Sequence, residues 1–448
     1  MTQAETKSGG IFGWYFNIPI LNRIVFGLVA GAVVGIILAN MPAATAAAYH
    51  ANTRFFGDLF IRLLQMIVVP VIFFSVVAGV SAIQPSKLGR IGGKLMGLYL
   101  LTTFIAVSLA MIAASIFQPG AGLNIMGDAA GHVPKNVPQP LATVLLNLVP
   151  ANPFGALNSG ALLPILFFAI SFGIGLALIR ESAEEHVRKA GDTVYYVCSG
   201  AAEATYKIVW GVMQYAPIGV FFLISALFGL HGPKVVGSMM YVIVLTFCAL
   251  AIHWVVTYST ILRLGGLNPL VVVKAAREAL LTAFVTRSSN ATLPVTIRCM
   301  KNLGVKPEFV SFSAPLGATI NMDGTAIYLG VTVMFLANAV GQPLGIDQMF
   351  MVALLATLGA IGSAGVPGAG VIMLLMVLEG IGMKVEAGTA IAAAYALMFA
   401  IDAILDMGRT ITNIAGDFAI NSVVAKSEDS LDMEIYEKNV RGETVTVG

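Results

Sequence analysis

Five polar residues recur on one face of the last long apolar run: Asp402, Asp406, Arg409, Asn413 and Asp417, at spacings of four, three, four and four. That spacing follows a helical stripe. Three carboxylates and one guanidinium inside an apolar helix are expensive unless they bind something. Arg409 can grip a carboxylate through two parallel hydrogen bonds. Asp406, one turn earlier, suits an ammonium group. Asp323, Asp402 and Asp417 have no evident basic partner in the sequence, which makes them candidate cation ligands. Sodium prefers hard oxygen donors. Gly317, Thr319 and Asn321 stand beside Asp323 in the run Asn321-Met322-Asp323-Gly324-Thr325, where an unwound turn would free carbonyls.

Two further segments look like anion receptors: Arg287-Ser288-Ser289-Asn290, and Gly365-Val366-Pro367-Gly368-Ala369-Gly370. Half-helices meeting at such tips aim free N–H groups and positive dipole ends at a carboxylate. Hairpin amides and Ser289 would take one carboxylate, Arg409 a second and Asp406 an amine. That specification describes aspartate or glutamate.

The elements that must position these groups lie in lipid. Of 448 residues, 58% are hydrophobic and 11% charged, and the mean hydropathy is +0.88. A soluble domain carries about 25% charged residues. The net charge of +2 leaves no basic field for nucleic acid. Cys198, Cys248 and Cys299 read as buried packing thiols, and His253 as a packing residue. No cleavable signal peptide precedes the first run, Ile18 to Asn40.

Apolar runs predict spans at 18–40, 55–83, 94–117, 141–179, 196–229, 237–262, 309–337 and 388–422. Basic residues gather after the even-numbered spans: Lys87, Arg90 and Lys94, then Arg180, Arg188 and Lys189, then Arg263, Lys274 and Arg277. The positive-inside rule puts both termini in the cytoplasm. Segment 269–297 has basic flanks on both sides and should dip in from the cytoplasm, whereas 348–382 should dip in from outside. The sequence therefore predicts an all-α polytopic membrane protein. It has eight transmembrane helices and two opposed re-entrant helical hairpins in inverted repeats, a usual way to build a midplane site. The segment after Lys426 is charged and reads as a solvated, partly disordered cytoplasmic tail.

At these residues the chain resembles the dicarboxylate/amino acid:cation symporter family, which includes glutamate transporters, with the archaeal sodium–aspartate symporters as the nearest pattern. The motifs are Thr286 to Thr296, Asn321 to Thr325, Gly365 to Gly370 and Asp402 to Asp417. The resemblance implies a homotrimer in a prokaryotic inner membrane, working by an elevator motion. Residues 18–84 and 138–230 would be scaffold, 85–125 and 232–422 the moving transport domain, and 423–448 the tail. Hairpin 348–382 would be the gate.

By position, the resemblance gives the substrate's amine to Asp406 and its side-chain carboxylate to Arg409. Arg287, Ser288, Ser289, Thr325, Val366, Gly370, Thr410 and Asn413 would complete the pocket, and Asp402 would have a structural or coupling role. One sodium site would use Gly317, Asn321, Asn413 and Asp417. Another would use Thr319, Met322, Ala360, Ile361 and Ser363, and a third Tyr99, Thr102, Thr103, Asn321 and Asp323. About three sodium ions would accompany each substrate.

Asn290 departs from a serine frequent in archaeal members, and Ala360 and Ser363 from serine and threonine. Arg287 fits the prokaryotic pattern and is placed to pair with Asp406 in some states. A C4-dicarboxylate carrier would not need Asp406, and carboxylates serve protons as well as sodium. An anion channel is the rival from another class. Gly-x-Ser-x-Gly, His-Glu-x-x-His and Walker sequences are absent, which speaks against an enzyme.

Overall fold

A computed structural model describes residues 17–82, 88–123, 125, 146, 148–231, 234–360, 365, 367–386 and 389–443. It is all helical apart from an isolated bridge between Val305 and Leu431. α1 (Ile20–Ala39), α2 (Ala43–Ser81), α5 (Leu162–Ile179) and α6 (Glu185–His231) pack together, with α4 (Pro153–Ser159) leading into α5. The packing of α1 is decided by residue size. Phe26, Val29, Val33 and Ile37 are at least half exposed on one face, as suits lipid. On the other face Gly27, Gly31 and Gly35 touch the backbone of α6, where a carbon added at Gly31 would lie 2.6 Å from the Phe221 carbonyl oxygen. Small residues four apart permit this approach in lipid.

A second group holds the candidate site. α3 (Gly93–Phe117) and α7 (Lys234–His253) flank it, and α7 continues through a π-helical turn (Trp254–Tyr258) into α8 (Ser259–Leu264). α9 (Pro269–Thr286) and α10 (Ser289–Leu303) form the first hairpin. Its tip is only two residues long, because Arg287 adopts a left-handed φ of 54° and ends α9. Extended Ser288 then caps α10, its Oγ accepting from the Ala291 amide at 3.2 Å.

α11 (Pro307–Ile320) and α12 (Asp323–Ala339) are one apolar run broken at Asn321 and Met322, whose ψ angles of 89° and 43° leave the helical range. α13 (Ile346–Ala360) and α14 (Ala369–Gly380) are the arms of the second hairpin, and α15 (Ala390–Ser427) carries the charged stripe.

Seven segments among the described residues are long and apolar enough to cross a membrane: α1, α2, α3, α6, α7 with α8, α11 with α12, and α15. The fourth expected span, 141–179, lies partly outside the described residues, and its described end holds only the short helices α4 and α5. Two helices outrun their apolar windows. α2 begins at Ala43 and α6 at Glu185, because alanine-rich and charged stretches propagate a helix that lipid has started.

The tail expectation is corrected. Asp432 caps α16 (Met433–Arg441), Tyr436 is buried with its hydroxyl accepting from the Asn268 amide at 2.7 Å, and Asn439 donates to the Asn302 carbonyl at 2.9 Å. One buried aromatic in nine residues gives too little periodicity to be seen in sequence. Cys198 and Cys299 are buried as expected, whereas Cys248 is exposed. Just beyond α15, Glu428 is clasped by Arg90 at 2.7 Å and by Lys94 at 2.5 Å. Those bonds hold its carboxyl down to about 2.

Candidate functional site

Asp402, Asp406, Arg409, Asn413 and Asp417 share one buried face of α15, where the sequence places them. Arg409 is 2% exposed. Its Nη1 donates to Asp402 Oδ1 at 2.8 Å and its Nη2 to Asp406 Oδ1 at 2.6 Å. The guanidinium carbon stands 4.3 Å from the centre of the Tyr328 ring, a cation–π contact made strong by burial. Asp402 therefore has a basic partner, contrary to the expectation from charge counting. The i, i+7 reach was overlooked.

Arg287, Ser289, Thr325, Gly370, Asp406, Arg409, Thr410 and Asn413 line one cavity of about 250 Å³, joined by Met322, Gly365 and Ala369. The two hairpin tips close over it. The Gly365 carbonyl accepts from Ser288 Oγ at 2.6 Å and from the Asn290 amide at 3.3 Å. The Gly368 amide donates to Asp406 Oδ2 at 3.2 Å, so the second hairpin is tied to the charged stripe. A side chain at Gly370 would collide with the Arg409 guanidinium. Asp406 pairs with Arg409 rather than with Arg287. Val366 lies outside the described residues.

Asp323 is fully buried and also has partners that the sequence did not announce. Thr103 Oγ1 donates to its Oδ1 at 2.6 Å, Tyr258 donates to Oδ2 at 2.9 Å, and His253 Nε2 lies 3.2 Å from Oδ2. His253 is satisfied, as expected, with Thr257 3.1 Å from Nδ1. The π-helical turn sets this up by bringing Trp254 and Tyr258 to Thr412, beside Asn413: Trp254 Nε1 donates to Thr412 Oγ1 at 2.9 Å, and Tyr258 Oη lies 3.2 Å from the Thr412 carbonyl oxygen. An inserted residue in a helical turn re-aims side chains in this way.

The Asp417 cluster is the better cation candidate. Asn321 Nδ2 donates to Asp417 Oδ1 at 2.9 Å and to the Asn413 carbonyl at 3.0 Å. Asp417 Oδ2 and Asn321 Oδ1 are buried and have no hydrogen-bond partner among the described residues. Unpartnered buried oxygens, one of them on a carboxylate, are costly without a cation or a donor, so the donor set fits sodium. Gly317 packs against Asp417, and a carbon added there would lie 2.8 Å from Tyr99 Oη.

Other expected ligands are less convergent. Thr102 Oγ1 donates to the Tyr99 carbonyl at 3.1 Å and Thr319 Oγ1 to the Pro315 carbonyl at 2.9 Å, each within its own helix. Met322 Sδ lies 3.1 Å from Asn413 Nδ2. Ala360 ends α13, and Ile361 and Ser363 lie outside the described residues. Among the described residues no group of three or more His, Cys, Asp or Glu converges as a metal centre. A site of amide, hydroxyl and carbonyl oxygens around one carboxylate would escape that pattern.

Broken helices, facing hairpin tips and buried charges in an all-helical polytopic membrane protein define a secondary transporter. Residues 20–427 match the sodium:dicarboxylate symporter family, and the chain belongs to it. It is a transporter, not an enzyme. The chain is 31% identical over 420 residues to the proton/sodium-glutamate symport protein of Geobacillus stearothermophilus, covering 92% of this chain and 95% of that one. It is 30% identical to the proton/glutamate-aspartate symporter of Escherichia coli (strain K12), covering 94% and 96%. It is 32% identical to the C4-dicarboxylate transport protein of Azorhizobium caulinodans, covering 84% and 83%.

Proposed function

We propose that this chain is a sodium-coupled symporter of an acidic amino acid, L-aspartate or L-glutamate, in a prokaryotic cell membrane with both termini cytoplasmic. The observation that carries the reading is the joint presence of Asp406 and Arg409 in one cavity of about 250 Å³. Arg409 takes the side-chain carboxylate and Asp406 the amine. The first hairpin tip at Ser288 and Ser289 takes the main-chain carboxylate, with Thr325, Thr410 and Asn413 around it. Asp417, Asn321 and the carbonyls near Gly317 hold one coupling sodium, and the surroundings of Asp323 a second. The motion is of the elevator type: α3 and α7 to α15 travel against α1, α2, α5 and α6 in a homotrimer, and the second hairpin gates the site. Sodium coupling has support from the unpartnered buried oxygens at Asp417 and Asn321 and from the proton/sodium-glutamate symport protein among the relatives.

A C4-dicarboxylate reading has support from the relatives that carry such substrates. It gives Asp406 no task beyond pairing with Arg409. Competition binding separates the two. Purified protein should release labelled L-aspartate to unlabelled L-aspartate or L-glutamate at far lower concentration than to succinate. Equal competition by succinate would favour the dicarboxylate reading.

A further inference from the structure

α11 and α15 run antiparallel across the cation candidate, since Gly317 faces Asp417 while Asn321 reaches back to Asn413. One turn before Gly317 on α11 stands Ser313, and one turn after Asp417 on α15 stands Asn421. Both are 0% exposed. Helical phase puts them on the faces that already meet at Gly317 and Asp417.

The Asn421 amide orientation is fixed by its surroundings. Its Nδ2 donates to the Asp417 carbonyl at 2.7 Å and to Tyr99 Oη at 2.9 Å. A carbonyl accepts only, so nitrogen must face it. Asn421 Oδ1 is thereby turned away and has no hydrogen-bond partner among the described residues, and the same is true of Ser313 Oγ and Asp417 Oδ2. Three unpartnered oxygens on one buried seam, away from the hairpin tips, are chemically suited to a small hard cation.

We propose that Ser313 and Asn421 extend the Asp417 site into a second oxygen position for the coupling cation, further along the α11–α15 seam. This rests on the cation-coupled reading given above. Asn421 supplies an amide oxygen and also steers Tyr99, while Ser313 supplies a hydroxyl. A cation leaving or entering Asp417 along this seam exchanges one set of oxygens for the next.

Ser313 makes the sharper test because its hydroxyl has no protein partner to lose. The full chain in detergent is titrated with sodium chloride against choline chloride, without amino acid, and the thermal unfolding midpoint is followed. A ligand that binds only the folded state raises that midpoint, the stabilisation growing as ln(1 + L/Kd) at free ligand concentration L. Ser313→Ala should raise the apparent sodium Kd about 2- to 10-fold without lowering the sodium-free midpoint, and Ser313→Thr should restore the wild-type Kd. Equal sodium Kd values in wild type and Ser313→Ala would overturn the inference alone, leaving the function reading standing. A wild-type chain with no response to sodium would overturn both.

Discussion

Arg409 and Asp406 hold each other one turn apart on α15, Nη2 to Oδ1 at 2.6 Å, while Nη1 reaches back to Asp402 at 2.8 Å. The guanidinium is thus fixed at both nitrogens and on one face by Tyr328. An incoming carboxylate can take N–H groups that these two bonds leave free, or displace Asp406 from Nη2. Displacement frees Asp406 for an amine, which ties recognition of the two ends of an amino acid together. Arg409→Cys should abolish binding of acidic substrates while sparing the fold; retained aspartate affinity, measured by calorimetry on monodisperse protein, would contradict its role.

Asp402 does not line the cavity of Asp406 and Arg409 but holds Arg409 Nη1 at 2.8 Å. Removing one partner of a buried ion pair typically costs about 3–5 kcal/mol, and Asp406 offsets part of this by keeping its own bond. Asp402→Asn should lower aspartate affinity about 10-fold or more and leave sodium binding without substrate unchanged. Unaltered aspartate affinity would show that Tyr328 and Asp406 suffice to hold the guanidinium.

The stripe on α15 was legible because polar residues at helical spacing stand out in an apolar run. The broken helix at Asn321 and the two hairpins followed from small polar tips and charged flanks. The partners of Asp323 did not. His253, Tyr258 and Tyr328 sit in runs whose composition gives no hint of direction, and only helix packing brings the first two to Asp323 and the third against Arg409. Asn421 and Ser313 were missed for a similar reason, since single amides and hydroxyls are common in membrane helices. A search for polar residues one turn beyond each intramembrane aspartate would have found Asn421.

The hairpin tips close through one serine. Ser288 Oγ donates to the Gly365 carbonyl at 2.6 Å, and a net hydrogen bond is worth about 0.5–1.5 kcal/mol. Ser288→Ala should weaken aspartate binding about 2- to 10-fold, mainly through faster release. Stopped-flow dissociation that matches wild type would show that the Asn290 amide alone closes the tips.

Glycine at 370 is required by Arg409, because an added carbon would overlap its guanidinium. Gly370→Ala should remove substrate binding with little change in sodium-dependent stability. Normal aspartate affinity in that variant would mean that the second hairpin re-seats freely around the stripe.

Glu428 tests the clasp at the end of α15. Its folded carboxyl is depressed to about 2 from an ordinary 4.5 by bonds from Arg90 and Lys94. A depressed carboxyl stabilises the fold above its unfolded pKa, and that contribution is lost as pH falls toward the folded value. Glu428→Gln should lower the unfolding midpoint at pH 7, with the gap to wild type closing between about pH 4.5 and pH 2. A gap independent of pH would assign the effect to packing.

Most direct for the central claim is uptake of labelled L-aspartate into proteoliposomes under an imposed sodium gradient, repeated with a proton gradient alone. Sodium-driven accumulation, absent in Arg409→Cys and strongly reduced in Asp417→Asn, is the predicted result. Accumulation driven by protons alone would contradict the sodium assignment at Asp417, and no uptake under either gradient would contradict the assignment of Asp406 and Arg409 to an acidic amino acid.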